Sequence, residues 1–248
     1  MTEEQWEYFV GFRERFRDKC REFLQRGEKL LLKELQEKIQ ALGNTPYYPV
    51  ENSVVYNRNL DKVKKESRID YVLVGDNPGK NEQLEVNSSY LVGLSGKIGE
   101  GFFKKNPGLK TDFRDNIIIL NKTPIHSPKT KDLRDLIRLS NGELLPLLNG
   151  SQIWMAEETF LLAQKLDCPV WIIGYSELKP KGVFSKYGEK ITELAGKEPC
   201  VGVFLFQHFS MNRFTIDLNA YMEKNPGLSL TEALIALGTG HRKDVLGW

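Results

Sequence analysis

Cysteine and histidine are scarce in this chain of 248 residues, with three of each. Cys20, Cys168 and Cys200 are widely spaced and form no C-x-x-C pair, so the sequence indicates neither a disulfide framework nor a zinc site. The histidines and the scattered carboxylates match no metal-ligand spacing. We therefore expect no bound metal and a reducing compartment, the cytoplasm.

Long apolar segments are also missing. No run reaches the roughly 20 residues that cross a bilayer. The first residues, Met1 to Trp6, show neither the basic start nor the apolar stretch of a signal peptide. The sequence thus predicts an intracellular chain with no membrane partner.

Net charge is low, at +2 from 35 basic and 33 acidic residues, so charge alone identifies no partner. One stretch is locally basic, and it suits either a solvated surface or a nucleic-acid-binding face. Its members are Lys104, Lys105, Lys110, Arg114, Lys122, Lys129, Lys131 and Arg134.

Short apolar runs alternate with helical patterns after residue 70. The runs at 71–76, 116–121, 170–174 and 201–206 have the continuous hydrophobic character of strands in a parallel sheet covered on both faces. Strands alternating with helices indicate right-handed βαβ units. The sequence therefore predicts an α/β fold, a three-layer αβα sandwich around a mostly parallel four-stranded sheet.

Helices are predicted at both ends of the chain. From residue 2 to Leu42, apolar residues recur at spacings of three, four or seven, with Gly27 as a break and Gly43-Asn44 as the end. Residues 45–68 are polar and irregular, as in a covering loop. We expect a single domain over 1–248, with N-terminal helices at 1–44, a core at 70–215 and C-terminal helices at 216–248.

Three predicted strands run directly into polar clusters. These clusters begin at Gly75-Asp76-Asn77-Pro78-Gly79, at Asn121-Lys122-Thr123-Pro124 and at Gln207-His208-Phe209-Ser210. Ligands of parallel sheets bind beyond the carboxyl ends of the strands, so the clusters lie where a site would form.

The first cluster admits two interpretations from its residues alone. Glycines and Lys80 after a strand favour a phosphate loop, but the spacing fails the Walker pattern, and Pro78 removes a backbone donor. The remaining feature is a tight turn that holds Asp76 and Asn77 at a strand end. Both side chains also suit a turn in which they only cap the backbone.

His208 and Asn121 carry the clearest chemistry. A neutral imidazole at a strand end can donate a hydrogen bond to an anion that forms on a leaving group. The Asn121 amide offers a donor and an acceptor side by side, as needed to read a nucleobase edge. Either residue also suits a purely structural role.

Together these motifs resemble those of the uracil-DNA glycosylase superfamily. Gly75 to Gly79 matches the G-x-N-P-G form of its first motif, and Asn121 to Ile125 is similar to its N-x-C-P-L element. Leu91 to Gly96 looks like its F-V-G-x-[AS]-G segment, and His208 to Arg213 looks like H-P-S and the loop that follows. The four motifs occur in the superfamily's order.

The resemblance implies a monofunctional DNA glycosylase that hydrolyses the N-glycosidic bond of uracil or a related deaminated base, in base excision repair. Asn77 would orient the attacking water, and His208 would stabilise the departing base. Its other implied contacts fall into two groups. Asp76, Asn121, Tyr90 and Leu91 would contact the flipped base, whereas Ser95, Gly96, Ser210, Asn212 and Arg213 would contact DNA.

Three features depart from the superfamily pattern. Leu91 stands at the usual stacking Phe, so either Leu91 or Tyr90 faces the base, and Phe209 replaces the proline of H-P-S. Three cysteines cannot supply the four ligands of an iron–sulfur cluster, so we expect no cofactor. We also expect a monomer whose partner is DNA. Alternatives are a member that binds nucleic acid or a nucleobase without catalysis, and an α/β enzyme that binds a nucleotide or phosphate.

Overall fold

Four apolar strands form one sheet in which every pairing is parallel. They are β1 (Tyr71–Gly75), β2 (Ile117–Asn121), β3 (Val170–Ile173) and β4 (Val203–Phe206). The computed structural model describes residues 1–43, 46–197 and 202–248. The predicted fold class is confirmed. The predicted start of the last strand at Val201, the helix end at Asn44, the loop start at Thr45 and Cys200 lie outside the described residues.

The helices that surround the sheet follow the predicted order. Helix α3 starts at Leu94, and α5 starts at Leu145. Pro146, in the first turn of α5, suits a helix start because its missing N–H would be unpaired there. The helices are α1 (Glu3–Glu28), α2 (Leu32–Leu42), α3 (Leu94–Lys105), α4 (Asp132–Leu139), α5 (Leu145–Leu166), α6 (Ser185–Ala195), α7 (Arg213–Lys224) and α8 (Leu230–Leu246).

The strand order is β2-β1-β3-β4. The chain leaves β1 in one direction to form β2 and then returns past β1 to form β3 and β4. Right-handed crossovers consequently place α3 on one face of the sheet and α5 and α6 on the other. The direction changes between β1 and β3, and the carboxyl ends of strands at such a point border the crevice in which ligands bind.

Aromatic side chains fill the space between the sheet and one helical layer. Trp171 of β3 lies 5.9 Å from the Phe103 ring of α3 and 6.1 Å from the Phe214 ring of α7, between ring centroids. Phe209 packs 5.0 Å from Phe214 in the same cluster. This layer therefore fixes the segment that follows β4.

The N-terminal helix belongs to the same hydrophobic core. Helix α1 buries Phe9, Phe12, Phe16 and Phe23, and Phe16 stacks on Trp154 of α5 at 5.7 Å. Helix α1 begins with a capping box at Thr2, and α8 begins with one at Ser229. In the described part of the chain, no helix has the length and apolarity needed to cross a membrane.

Candidate active site at the carboxyl edge of the sheet

A cavity of about 350 Å³ opens at the carboxyl ends of the strands. All three predicted polar clusters reach it, since Asn77, Asn121 and His208 each contribute to its wall. The full lining comprises Asp76, Asn77, Gly79, Lys80, Asn81, Glu82, Leu91, Gly93, Leu94, Ser95, Asn121, Ser127, Pro128, Lys129, Thr130, His208 and Ser210.

A fully buried lysine joins the strand ends below this cavity. Lys122 follows β2 and has no exposed surface. Its Nζ donates to Asp76 Oδ1 at 2.6 Å, to the Ile173 carbonyl at 2.7 Å and to the Gly75 carbonyl at 3.4 Å. Burial lowers its pKa, and the Asp76 carboxylate opposes that shift. The ammonium group thus connects the ends of β1, β2 and β3.

Asp76 occupies the cavity side of this ion pair. Its carboxylate accepts from Lys122 on Oδ1 and from Thr130 Oγ1 on Oδ2 at 3.0 Å, and its side chain remains 16% exposed. Gly174 lies close by with φ +81°, and a Cβ there would come within 2.9 Å of Asp76 Oδ1 and 3.2 Å of His208 Cδ2. A glycine after β3 therefore lets Asp76 and His208 converge.

Asn77 has a fixed amide orientation. Its Nδ2 donates to Ser127 Oγ at 3.0 Å and to the carbonyls of Ser127 and Pro78 at 3.2 Å each. Since these partners are acceptors, the nitrogen must face them. The carbonyl oxygen Oδ1 accepts no hydrogen bond from the described residues, and Asn77 lines the cavity, so this oxygen is free to accept a hydrogen bond from water.

His208 is held as a neutral hydrogen-bond donor. Its Nδ1 accepts from the Ser210 backbone N–H at 3.1 Å and lies 2.8 Å from Ser210 Oγ. Burial lowers the pKa of His208, and nearby Lys122 lowers it further although Asp76 acts in the opposite direction. A neutral ring with an accepting Nδ1 carries its proton on Nε2, which has no protein partner among the described residues.

Asn121 supplies an amide with unused hydrogen-bonding capacity. The residue is 1% exposed and borders the cavity, and its Nδ2 is buried without a partner among the described residues. An unsatisfied buried donor costs about 1–3 kcal/mol. An amide of this kind beside a cavity is suited to a ligand that supplies the missing partner.

The loop before α3 forms an apolar wall that is fixed by its backbone. Leu91 lines the cavity with φ +52°, and its carbonyl accepts from Arg114 Nη2 at 2.8 Å. A Cβ at Gly96 would lie 1.4 Å from that carbonyl oxygen. Glycine at position 96 is therefore required for the close approach of the two segments.

Glu82 connects the two loops that border the cavity. Its carboxyl accepts from the Gly79 N–H at 3.0 Å and from the backbone N–H groups of Leu91 and Val92. Burial raises the pKa of Glu82 to about 7, although these hydrogen bonds act in the opposite direction. The carboxyl therefore titrates near neutral pH.

The remaining predicted contacts divide by location. Ser95 and Ser210 line the cavity beside Leu91, whereas Asn212 and Arg213 are exposed beyond it. Gly96 lies in the first turn of α3 behind the wall, and that helix has no side-chain N-cap.

The prediction that Tyr90 contacts the base is wrong in this structure. Tyr90 is completely buried, lies outside the cavity lining, and donates its hydroxyl proton to the Val55 carbonyl at 2.6 Å. Leu91 is the member of this pair that faces the cavity. The hydrogen bond to Val55 instead ties the loop before α3 to the segment around Val55.

The basic stretch does not form one surface. Lys122 is buried, Lys104 and Arg114 pair with Glu100, and Arg134 pairs with Glu177. By contrast, the other cations of this stretch are exposed, and their side chains form no ion pair or hydrogen bond within the described part of the chain. These are Lys105, Lys110, Lys129 and Lys131, and the same holds for Lys80 and Arg213 outside the stretch.

Sequence reasoning missed several residues of the site. Glu82, Ser127 and Thr130 lie in no distinctive local sequence pattern. Lys122 does have a recognisable signal, because it is a charged residue directly after a buried strand. Met211 was also missed: it is 74% exposed and has φ +53° beside the cavity residue Ser210. Over residues 1–43, 46–197 and 202–248, no group of three His, Cys, Asp or Glu side chains is placed to hold a metal ion.

Comparison with protein-family models, with curated proteins and with solved structures finds no match to this chain.

We expect Glu82→Gln to change how stability depends on pH. Between pH 4.5 and about 7 the folded chain keeps a proton on Glu82 that the unfolded chain has released, so this group lowers stability as pH rises. The variant lacks that loss. Between pH 5 and pH 8, its free energy of unfolding should therefore rise by about 2–3 kcal/mol relative to that of the original chain. Urea unfolding at both pH values measures the difference.

Glu85→Gln is the matched control because Glu85 is exposed and close in sequence. Its stability should follow that of the original chain across the same range. Parallel stability curves for Glu82→Gln and the original chain would contradict a titration of Glu82 near pH 7.

Proposed function

We propose that this protein is a monofunctional DNA glycosylase that hydrolyses the N-glycosidic bond of uracil or a related deaminated base. One observation carries the proposal: Asn121, His208 and Asn77 border the same cavity. These groups match the three needs of the reaction, which are reading a base, stabilising it as it leaves and orienting water.

The cavity suits a single flipped base. Its volume of about 350 Å³ lies at the lower end of the ~300–1,000 Å³ typical of small-molecule sites. Leu91 provides an apolar wall. The unpaired Asn121 Nδ2 can donate a hydrogen bond to an acceptor on the polar edge of a base. A base inside a duplex must leave the stack before it reaches such a cavity, which costs a few kcal/mol.

His208 is arranged to stabilise the leaving group. Cleavage of the glycosidic bond leaves the electron pair on the base, and an N–H donor aimed at the resulting anion lowers the barrier. The bonds from Ser210 to Nδ1 keep the Nε2 proton available for this donation. Asn77 Oδ1 would orient the water that attacks the sugar.

The surface around the cavity suits a nucleic-acid backbone. Lys80 and Lys129 line the opening as exposed, unpaired cations, and the uncapped start of α3 directs backbone N–H groups towards the same region. Met211 is an exposed apolar side chain of the kind that enters a base stack. Asn212 and Arg213 follow it as candidates for the minor groove.

A phosphate-binding role at the cavity floor is less favourable. Asp76 and Glu82 both line the cavity, and an ionised carboxylate there would repel a phosphate while tolerating a neutral base. Binding without catalysis remains the second candidate because Leu91 replaces the stacking Phe. DNA or free-base binding without an abasic product would favour that candidate.

We expect the purified protein to convert uracil-containing DNA to abasic DNA without added metal ion. The test uses single- and double-stranded oligonucleotides that contain uracil, hypoxanthine, xanthine or a thymine mismatch. His208→Ala should lower the single-turnover rate by about 10²–10³-fold, the usual effect of losing one such donor. Asn77→Ala should lower it by a similar factor, and both variants should retain DNA affinity.

His241→Gln serves as the control because His241 lies outside the cavity lining and contacts the Leu205 carbonyl. It should cleave at the original rate. A folded protein that cleaves no oligonucleotide in the panel would contradict the proposed reaction.

We expect Lys80→Ala combined with Lys129→Ala to weaken binding of uracil-free duplex DNA through lost phosphate contacts. Each contact contributes about 0.9 to the slope of log affinity against log salt, so the slope should decrease by about 2. Fluorescence anisotropy over a salt series measures it.

Lys186→Ala provides a matched control, since Lys186 pairs with Glu189 and does not line the cavity. Its slope should equal that of the original chain. Equal slopes for the double variant and this control would exclude the cavity rim as the backbone contact.

A further inference from the structure

The Asp76–Lys122 ion pair has no part in the three roles proposed for Asn77, Asn121 and His208. Asp76 lies one residue from Asn77 and converges with His208 at Gly174, so it occupies the same part of the cavity as the two candidate catalytic groups. Lys122 is wholly buried behind it. A purely structural clamp would not require the carboxylate to border the cavity.

Hydrolysis also requires a proton acceptor that the Asn77 amide does not provide. An amide oxygen orients a water molecule, but it does not take up a proton at neutral pH. Two carboxyl groups line the cavity, those of Asp76 and Glu82. Glu82 is directed at three backbone N–H groups that connect the loops, which assigns it to holding them together.

The Asp76 carboxylate retains acceptor capacity. Its two oxygens offer about four lone-pair sites, of which the hydrogen bonds from Lys122 and Thr130 occupy two. Those two bonds also prevent the carboxylate from rotating. It therefore presents a fixed negative charge and free lone pairs at the cavity.

We propose that Asp76 is the catalytic carboxylate of this site and that Lys122 is a positioning residue that holds it in place; the inference rests on the proposed glycosylase function. Asp76 faces the positive charge that develops on the sugar. The bond from C1′ to the base breaks with its electron pair on the base, and the water oxygen bonds to C1′. One water proton passes to Asp76 and from there to solvent or to the departed base.

Three variants test the assignment, with single-turnover cleavage of uracil-containing DNA and thermal melting as the two measurements. Asp76→Asn should lower the cleavage rate by about 10²–10³-fold at saturating enzyme, with the half-saturating enzyme concentration changed less than threefold. Lys122→Met should lower both the rate and the melting temperature because it leaves the Asp76 charge unpaired. The double variant Asp76→Asn/Lys122→Met replaces the pair with neutral groups and should regain most of the melting temperature.

The double variant separates a catalytic pair from a structural one. We expect it to be folded and still at least about 10²-fold slower than the original chain. Thr130→Val, which removes only one hydrogen bond to Asp76, is the conservative control and should lower the rate less than Lys122→Met.

Recovery of cleavage together with stability in the double variant would overturn the assignment and make the pair structural. Cleavage by Asp76→Asn at the original rate would overturn it as well. Both results leave the glycosylase proposal intact if the original chain cleaves. Absence of cleavage by the original chain overturns the proposed function, and the assignment with it.

Discussion

The site depends on one buried ammonium group. Placing a charge in a protein interior costs several kcal/mol unless hydrogen bonds and an opposite charge compensate for it. Lys122 meets that condition with the Asp76 carboxylate and the carbonyls at the ends of β1 and β3, and it lies 5.3 Å from the centre of the Phe184 ring. These acceptors come from separate strands, so the ammonium is satisfied only when the strand ends are in register. The geometry of the cavity floor is therefore coupled to the formation of the sheet.

Burial, more than the Asp76–Lys122 pair, sets the electrostatics around His208. Burial disfavours the imidazolium form most strongly, and the effects of Lys122 and Asp76 on the imidazole oppose each other. The two charges thus leave a neutral ring whose accepting nitrogen is occupied by Ser210. In the proposed reaction, the group that donates to the leaving anion must keep its own proton at neutral pH. A neutral imidazole with its proton on Nε2 meets that requirement.

Much of the fold could be predicted from the sequence because parallel strands buried on both faces have continuous apolar runs. The polar clusters after these runs indicated Asn77, Asn121 and His208 by position alone. Tyr90 could not be placed from the sequence, because a residue next to a motif can face either the cavity or the core, and only the hydrogen bond to Val55 decides which. The sequence analysis counted Lys122 in a basic surface stretch for a related reason: a charged side chain is expected to be exposed unless a buried partner is known. Glu82 and Thr130 act through contacts with residues distant in sequence, which no local pattern encodes.

The segment after β4 is stiffened by Phe209, which stands where the motif that this segment resembles has a proline. Proline stiffens a loop by fixing its own φ, whereas Phe209 is completely buried and packs against Phe113 and Phe214. Gly99 of α3 leaves room for its ring, since a Cβ there would lie 2.8 Å from it. Two consecutive left-handed residues, Met211 and Asn212, follow. Such backbone costs of order 1–3 kcal/mol for each residue and persists where the surroundings determine it. Packing of Phe209 on one side and the hydrogen bonds between Ser210 and His208 on the other supply that constraint, so this loop is held rigid by its aromatic anchor while Met211 remains directed at solvent.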